Sequence, residues 1–172
     1  TDLQLNIGET ISSISLGKDH TSALTSSGRL FTWGYNRYGQ VGDGTATIVH
    51  TSKSELNSLF DVAINETVVK MSMGEYHSSA LTSTGRLFTW GLNSSGQLGN
   101  GMTSYQNYPI EITSEFNLGI GETITSISLG KDHSAALTSM GRLFMWGENT
   151  FGQLGDGTTV TTYKSEPIEI TG

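Results

Sequence analysis

His20, His77 and His133 occupy one position of a repeated sequence, each followed by a hydroxyl residue, Thr21, Ser78 or Ser134. A histidine beside a hydroxyl is the pairing that general-base and nucleophilic chemistry uses. Asp19 and Asp132 precede two of these histidines, but Tyr76 precedes the third. No acid-histidine pair is therefore built into every copy, and no nucleophile gains a consistent partner. The favoured reading is that each histidine starts a strand and hydrogen-bonds backbone within or between repeats. Trp33, Trp90 and Trp146 are read in the same way, as packing anchors and not stacking platforms. Asp43, Asn100 and Asp156 offer one oxygen each per copy, far short of the six to eight that calcium takes. The glycines of Gly39 to Gly44 lack the G-x-G-x-x-G spacing of a phosphate cradle, and no helix pattern follows them. No catalytic residue, metal site or cofactor is expected. The Asn65-Glu66-Thr67 and Asn93-Ser94-Ser95 triplets fit the glycosylation acceptor pattern and carry little weight.

What positions these residues is a sequence written three times. Ile11 to Gly44 and Ile124 to Gly157 agree at 25 of 34 positions, and Val68 to Gly101 is the middle copy. Gly17, Gly74 and Gly130 are spaced by 57 and 56 residues, the range in which self-similarity means propeller blades or stacked solenoid units. The repeats divide one domain, 1–172, at approximately 1–57, 58–113 and 114–172. An array presents similar surfaces side by side, which favours binding over catalysis.

Each repeat reads as four short strands with turn chemistry between them and no sustained 3.6-residue period. In the first copy these are Ile11 to Leu16, a turn at Gly17-Lys18-Asp19, His20 to Thr25, a hairpin at Ser26-Ser27-Gly28, and Arg29 to Trp33. After a loop over Tyr35 to Gln40 and a Gly-Asp-Gly turn comes a last strand, clearest at Tyr108 to Thr113 and Tyr163 to Thr171. The first two strands carry small residues and the third carries Leu30, Phe31 and Trp33. Phe31 and Trp33 point to one face and Leu30 to the other, so both faces need covering. Narrow inner strands, bulky outer ones and two buried faces suit an all-β propeller of four-stranded antiparallel blades, three of them in this chain.

The string from Gly130 to Gly157, G-x-x-H-S-x-A-L-T-x-x-G-R-L-F-x-W-G-x-N-x-x-G-Q-L-G-D-G, resembles the repeat of the regulator-of-chromosome-condensation family across the whole chain. The resemblance implies a propeller, usually of seven blades, whose repeats serve as scaffolds for protein recognition. The founding member is a guanine-nucleotide exchange factor for a small GTPase and docks on chromatin. This chain departs from the founder in having three repeats, an acidic composition and no inserted wedge between strands.

The positions at which the copies differ point to a partner site. The turn between the first two strands and the loop between the last two emerge on one face of a blade. There the copies present Lys18, Asp19, Tyr35, Arg37 and Tyr38, then Glu75, Tyr76, Leu92, Ser94 and Ser95, then Lys131, Asp132, Glu148, Thr150 and Phe151. The opposite face, with Ser27-Gly28-Arg29 and its equivalents, varies little. Exposed aromatic and arginine side chains are the types enriched at interface hot spots, so the first face is the expected protein-binding surface. Exchange of nucleotide on a GTPase, and carbohydrate binding on Tyr35, Tyr38, Tyr76 and Phe151, are the alternatives.

Nine Lys plus Arg against sixteen Asp plus Glu give a net charge of -7, which argues against direct nucleic-acid or anionic-membrane binding. The absence of Cys excludes disulfides and thiolate chemistry and leaves the compartment open. The tail Pro167 to Thr171 matches Pro109 to Thr113, and Thr1-Asp2-Leu3 aligns with Ser114-Glu115-Phe116, so the chain ends nearly where it begins in the repeat. It reads as a segment of a larger propeller, or as half of a ring that two copies close head to tail. Three blades leave two end faces bare, which calls for self-association or further repeats.

Overall fold

The computed structural model describes residues 3–159 and 163–171. Thr1 and Asp2, which align with Ser114 and Glu115 in the repeat, lie outside the described residues. Among the described residues, twelve strands form three antiparallel sheets of four. Blade 1 is β1 Ile11–Leu16, β2 His20–Thr25, β3 Leu30–Tyr35 and β4 Val49–Glu55. Blade 2 is β5 Val68–Met73, β6 His77–Thr82, β7 Leu87–Gly91 and β8 Gln106–Glu111. Blade 3 is β9 Ile124–Leu129, β10 His133–Thr138, β11 Leu143–Glu148 and β12 Tyr163–Ile170. Each sheet is a simple meander in chain order, so the fold class read from the sequence is the fold observed.

The innermost strands β1, β5 and β9 approach one another closely at serine positions. Ser15 Oγ accepts the Met73 amide at 3.2 Å, and Ser72 Oγ accepts the Leu129 amide at 3.1 Å. Farther out, the third strands supply bulk. Phe88 and Trp90 turn toward blade 1, in a core with Leu24, Leu30, Leu56 and Phe60. Leu87 turns the other way, into a second core with Phe116, Ile124, Phe144 and Trp146. Alternation along one strand thus feeds two cores, and each core belongs to a junction between blades.

The strand limits differ from the sequence reading at several ends. The third strand begins at Leu30 and not Arg29, and the last strand of blade 3 stops at Ile170 and not Thr171. The third strand runs to Tyr35 and not Trp33, because the Tyr35 amide donates to the Asp19 carbonyl at 2.8 Å and Gly34 stays paired with His20. The last strand of blade 2 begins at Gln106, where it pairs with Gly91, and stops at Glu111 before a 3-10 turn. Two such turns, Asn57–Leu59 and Thr113–Phe116, went unread in the sequence. They bring Phe60 and Phe116 into the junction cores. In all three blades the ladder between third and fourth strands shifts register across the tryptophan, between Thr32 and Gly34, Thr89 and Gly91, and Met145 and Gly147. The glycine after it takes φ between +98° and +119°. A Cβ at Gly34 would stand 2.5 Å from the Asp19 carbonyl, so only glycine fits that bulge.

Candidate functional site

His20, His77, Trp90 and Trp146 lock neighbouring blades together. His20 Nε2 lies 3.0 Å from Ser78 Oγ in the next blade, and His77 Nε2 lies 3.0 Å from Ser134 Oγ. The partner is a side-chain hydroxyl and not the backbone atom expected. Ser78 then donates to the Gln40 carbonyl at 2.9 Å, and Trp90 Nε1 donates to the same oxygen at 3.0 Å. Ser134 and Trp146 repeat the arrangement on the Gln97 carbonyl at 2.8 and 2.9 Å. Burial holds the two imidazoles neutral, pushing His20 down to about 4 and His77 down to about 3. Because each serine donates elsewhere, Nε2 carries the ring proton and donates to it, which leaves Nδ1 as the basic nitrogen, buried without a hydrogen-bond partner among the described residues.

A second repeated device was missed in the sequence. Arg29 bridges Glu9 at 2.9 Å and Glu55 at 2.7 Å, Arg86 bridges Glu66 and Glu111, and Arg142 bridges Glu122 and Glu169. Each guanidinium also lies over the phenylalanine two residues on, 4.8 to 5.1 Å from its centroid. A hydrogen bond from Ser27, with others from the Thr25 side chain and the Asn6 backbone, lowers Glu9 to about 2. Glu66 is pushed up by burial, but hydrogen bonds from Thr82 and Thr84 outweigh this and bring it to about 2. The signal was present: a Glu stands 20 residues before each of these arginines and another 25 to 27 after it. These clamps explain why the Ser-Gly-Arg face varies so little.

The loop face is built differently. In each loop between third and fourth strands an asparagine and a glutamine replace regular pairing. Asn36 Oδ1 accepts the Val41 amide at 2.9 Å, its Nδ2 donates to Thr45, and Gln40 Oε1 accepts the Tyr38 amide at 2.9 Å. Asn93 with Gln97, and Asn149 with Gln153, do the same. This fixed frame leaves the intervening side chains free to differ. Asp43 and Asp156 serve turns in the same loops, each accepting the amide of the threonine two residues on at 3.0 Å.

On that frame Tyr35 and Tyr38 of blade 1 meet Tyr76 of blade 2. Their ring centroids stand 5.5 to 6.3 Å apart at interplanar angles of 49° to 70°. Lys18 Nζ sits 5.0 Å from the Tyr76 centroid and pairs with Glu75 at 2.6 Å, while Arg37 lies 6.0 Å from the Tyr38 centroid. Glu75 reaches on to Lys131 at 3.6 Å, and Lys131 to Asp132 at 3.7 Å. The hydrogen bond from Lys18 lowers the Glu75 carboxyl, whereas burial raises that of Asp132. Beside this chain of charges, Tyr76, Leu92, Asp132 and Glu148 border a hollow of about 250 Å³. The turns and loops named in the sequence therefore do converge on one face. Two of the residues named stand apart from the cluster. Asp19 is exposed at the bare side of blade 1, and Phe151 is 87% exposed with no ring partner among the described residues.

Three buried side-chain nitrogens have no hydrogen-bond partner among the described residues, His20 Nδ1, His77 Nδ1 and Gln40 Nε2, and of these only the Gln40 amide differs between the two internal junctions. Gln97 Nε2 donates to Asp132 at 3.1 Å across the junction of blades 2 and 3. At the junction of blades 1 and 2 the equivalent of Asp132 is Tyr76, and Gln40 Nε2 is buried without a hydrogen-bond partner among the described residues.

The model of the regulator of chromosome condensation (RCC1) repeat matches residues 27–81, 84–137 and 140–172, and a second model of the same description matches 11–40, 68–97 and 124–153. The human probable E3 ubiquitin-protein ligase HERC6 is 33% identical over 91% of this chain, which spans 15% of that protein. Human WBSCR16 superposes over 99% of the chain with a TM-score of 0.85 at 26% identity, and the chain spans 42% of it. Prp20p of Saccharomyces cerevisiae superposes over 94% with a TM-score of 0.78 at 22% identity, the chain spanning 38% of it. Three matched repeats, laid out as three meander blades with a junction lock at each boundary, establish that the chain belongs to the regulator of chromosome condensation (RCC1) repeat family.

Proposed function

We propose that the chain is a non-catalytic protein-binding scaffold whose recognition surface is the loop face, centred on Tyr35, Tyr38 and Tyr76 with Lys18 and Arg37 at their edge. The observation that carries this reading is the buried, unpartnered Nε2 of Gln40. The other internal junction satisfies the same amide with Asp132, so placing Tyr76 here gives up a buried hydrogen bond, a loss of order 1–3 kcal/mol. What is gained in exchange is an aromatic cluster facing outward. Departures from local optimality of this kind concentrate at functional surfaces.

The chemistry of the face fits a folded protein or peptide better than a glycan. The three rings are half-buried and tilt against one another, whereas a sugar stacks on an exposed flat ring. Lys18 and Arg37 stand at the tyrosine side, and Glu75, Asp132 and Glu148 outnumber the single Lys131 around the neighbouring hollow. A partner with a basic side chain for the hollow and an acidic or aromatic group for the tyrosine side would be complementary. Prp20p, which shares the fold, is described by its binding to Gsp1p and histones, a precedent for protein partners on such a frame. HERC6 is named as a ligase, but this chain corresponds to only 15% of it, and the ligase activity is not carried over.

A photo-crosslinking residue placed at Arg37 or Ser94, and as control at Ser27 or Met140 on the opposite face, tests the reading. The same discrete protein adduct from both loop-face positions, absent from both controls and lost in a folded Tyr38→Ala/Tyr76→Ala variant, is the expected result. Adducts confined to the control positions would overturn it.

A further inference from the structure

The two internal junctions are built to one plan and differ in how one buried amide is satisfied. Gln40 and Gln97 are both fully buried, and each is fixed through its side-chain oxygen, which accepts the Tyr38 amide at 2.9 Å or the Ser95 amide at 2.8 Å. Their backbone carbonyls accept from the same pair of donors, a serine and a tryptophan of the next blade. The two side-chain amides are thus held alike, each facing the turn of the next blade. Gln97 Nε2 meets the Asp132 carboxylate there at 3.1 Å. Gln40 Nε2 meets no acceptor among the described residues, because Tyr76 stands at the Asp132 position. We propose that this junction takes its carboxylate from outside: the Gln40 amide, covered by the Tyr76 ring, is a binding site for an acidic side chain of the protein partner. This rests on the loop face being the recognition surface.

The surroundings of the two amides differ in the sense such a site requires. Around the hollow at the junction of blades 2 and 3, Glu75, Asp132 and Glu148 face the single Lys131, and the acceptor belongs to the chain. At the junction of blades 1 and 2, Lys18 takes the place of Glu75 in the repeat, Arg37 that of Ser94 and Tyr38 that of Ser95. Glu75 balances Lys18 at 2.6 Å, whereas Arg37 is exposed and has no ion pair among the described residues. Positive charge therefore borders the ring that covers Gln40, where the other junction has acid and serine. An incoming carboxylate is drawn by that charge and supplies the acceptor whose absence leaves the amide unpaired.

Tyr76 is suited to be a movable cover. Its ring is half-buried and rests against Tyr35 and Tyr38, with centroids 5.7 and 5.5 Å away. Its backbone is fixed separately, the carbonyl accepting the Leu92 amide at 2.8 Å. Rotation about the side-chain bonds can thus open the amide without disturbing the turn.

The test is a titration of the nitrogen-15-labelled chain, read by NMR at the side-chain amides of Gln40 and Gln97, with N-acetyl-aspartate amide as probe and N-acetyl-asparagine amide as neutral control. One charge-assisted contact supports a dissociation constant of order millimolar, so the titration runs to about 100 mM. The Gln40 resonances should move and saturate with the capped aspartate alone, while those of Gln97 stay in place. Tyr76→Ala removes the cover and keeps the amide; it should tighten binding of the capped residue, which needs no ring contact, by about threefold or more. Tyr76→Asp supplies the carboxylate from within the chain and should abolish the response. Arg37→Gln should weaken binding by about threefold. No movement of Gln40 in the wild-type chain would overturn the proposal. So would equal movement at Gln97, an equal response to the neutral control, or a response undiminished in Tyr76→Asp. Any of these beside an intact loop-face crosslink separates failure of the carboxylate site from failure of the scaffold reading.

Discussion

His77 shows how much a single side chain decides here. Its ring is fully buried with Nε2 on Ser134, and burial holds it down to about 3 where the unfolded chain would titrate near 6.5. His20 is held near 4 in the same way. Between these values and 6.5 the unfolded state binds more protons, so stability falls as pH drops below 6.5, with a slope of at most about 1.4 kcal/mol per pH unit for each histidine. Glu9 and Glu66, held near 2 against an ordinary 4.5, add a second loss that begins only below 4.5. A thermal-melting series should therefore show a first decline from pH 6.5 to 4.5, and His77→Gln should roughly halve it while leaving the steeper fall below 4.5. A flat melting temperature across that first window would contradict the neutral histidine locks. Tyr76→Asp is the complementary experiment. It restores to Gln40 the acceptor that Gln97 enjoys, so urea unfolding should show stability unchanged or raised by up to about 1 kcal/mol, while the crosslinked partner is lost. A clear loss of stability would show that the tyrosine serves packing.

At the scale of elements, glycines set how closely blades approach. Gly42, at φ +85° and against the Trp90 indole, has no room for a Cβ, whereas Gly155 at φ +71° meets nothing. Gly42→Ala should cost about 2–4 kcal/mol through strain plus a wedged junction, and Gly155→Ala only about 1 kcal/mol in the dilute single chain, as read from denaturant midpoints. Equal losses would mean that Gly155 is covered. The strands themselves were legible in the sequence. β1 Ile11–Leu16 and β2 His20–Thr25 match their reading residue for residue, because small alternating residues flanked by Gly17 and Gly28 admit no other period. The convergence of Lys18, Tyr35, Tyr38, Glu75 and Tyr76 also followed from meander topology alone. The Arg–Glu clamps and the Gln–Asp contact were not seen, since each joins residues 20 to 35 positions apart, the clamps across the strands of one blade and the Gln–Asp contact across a junction. Nor were the 3-10 turns, whose residues Asn57–Leu59 and Thr113–Phe116 carry no helical period and are set by delivery of Phe60 and Phe116 to the cores.

For the molecule as a whole, stability is a sum over junctions, because blade 1 and blade 3 each touch blade 2 and hold no core of their own. Blade 2 is covered on both sides and should exchange its amide hydrogens most slowly, across Val68 to Gly91. β1, which borders a bare face, should exchange fastest among the inner strands under dilute conditions. Equal protection of β1 and β5 in the dilute chain would mean that the bare face of blade 1 is covered from within the chain.

The indoles give this arrangement an optical signature. Trp90 and Trp146 are sealed against a carbonyl, while Trp33, at the same repeat position, is only partly covered. One chain therefore carries two blue-emitting fluorophores beyond the reach of iodide and a third that emits to the red and can be quenched. Trp33 is a built-in lamp on the bare end of the arc, and its colour reports whether anything has come to rest there.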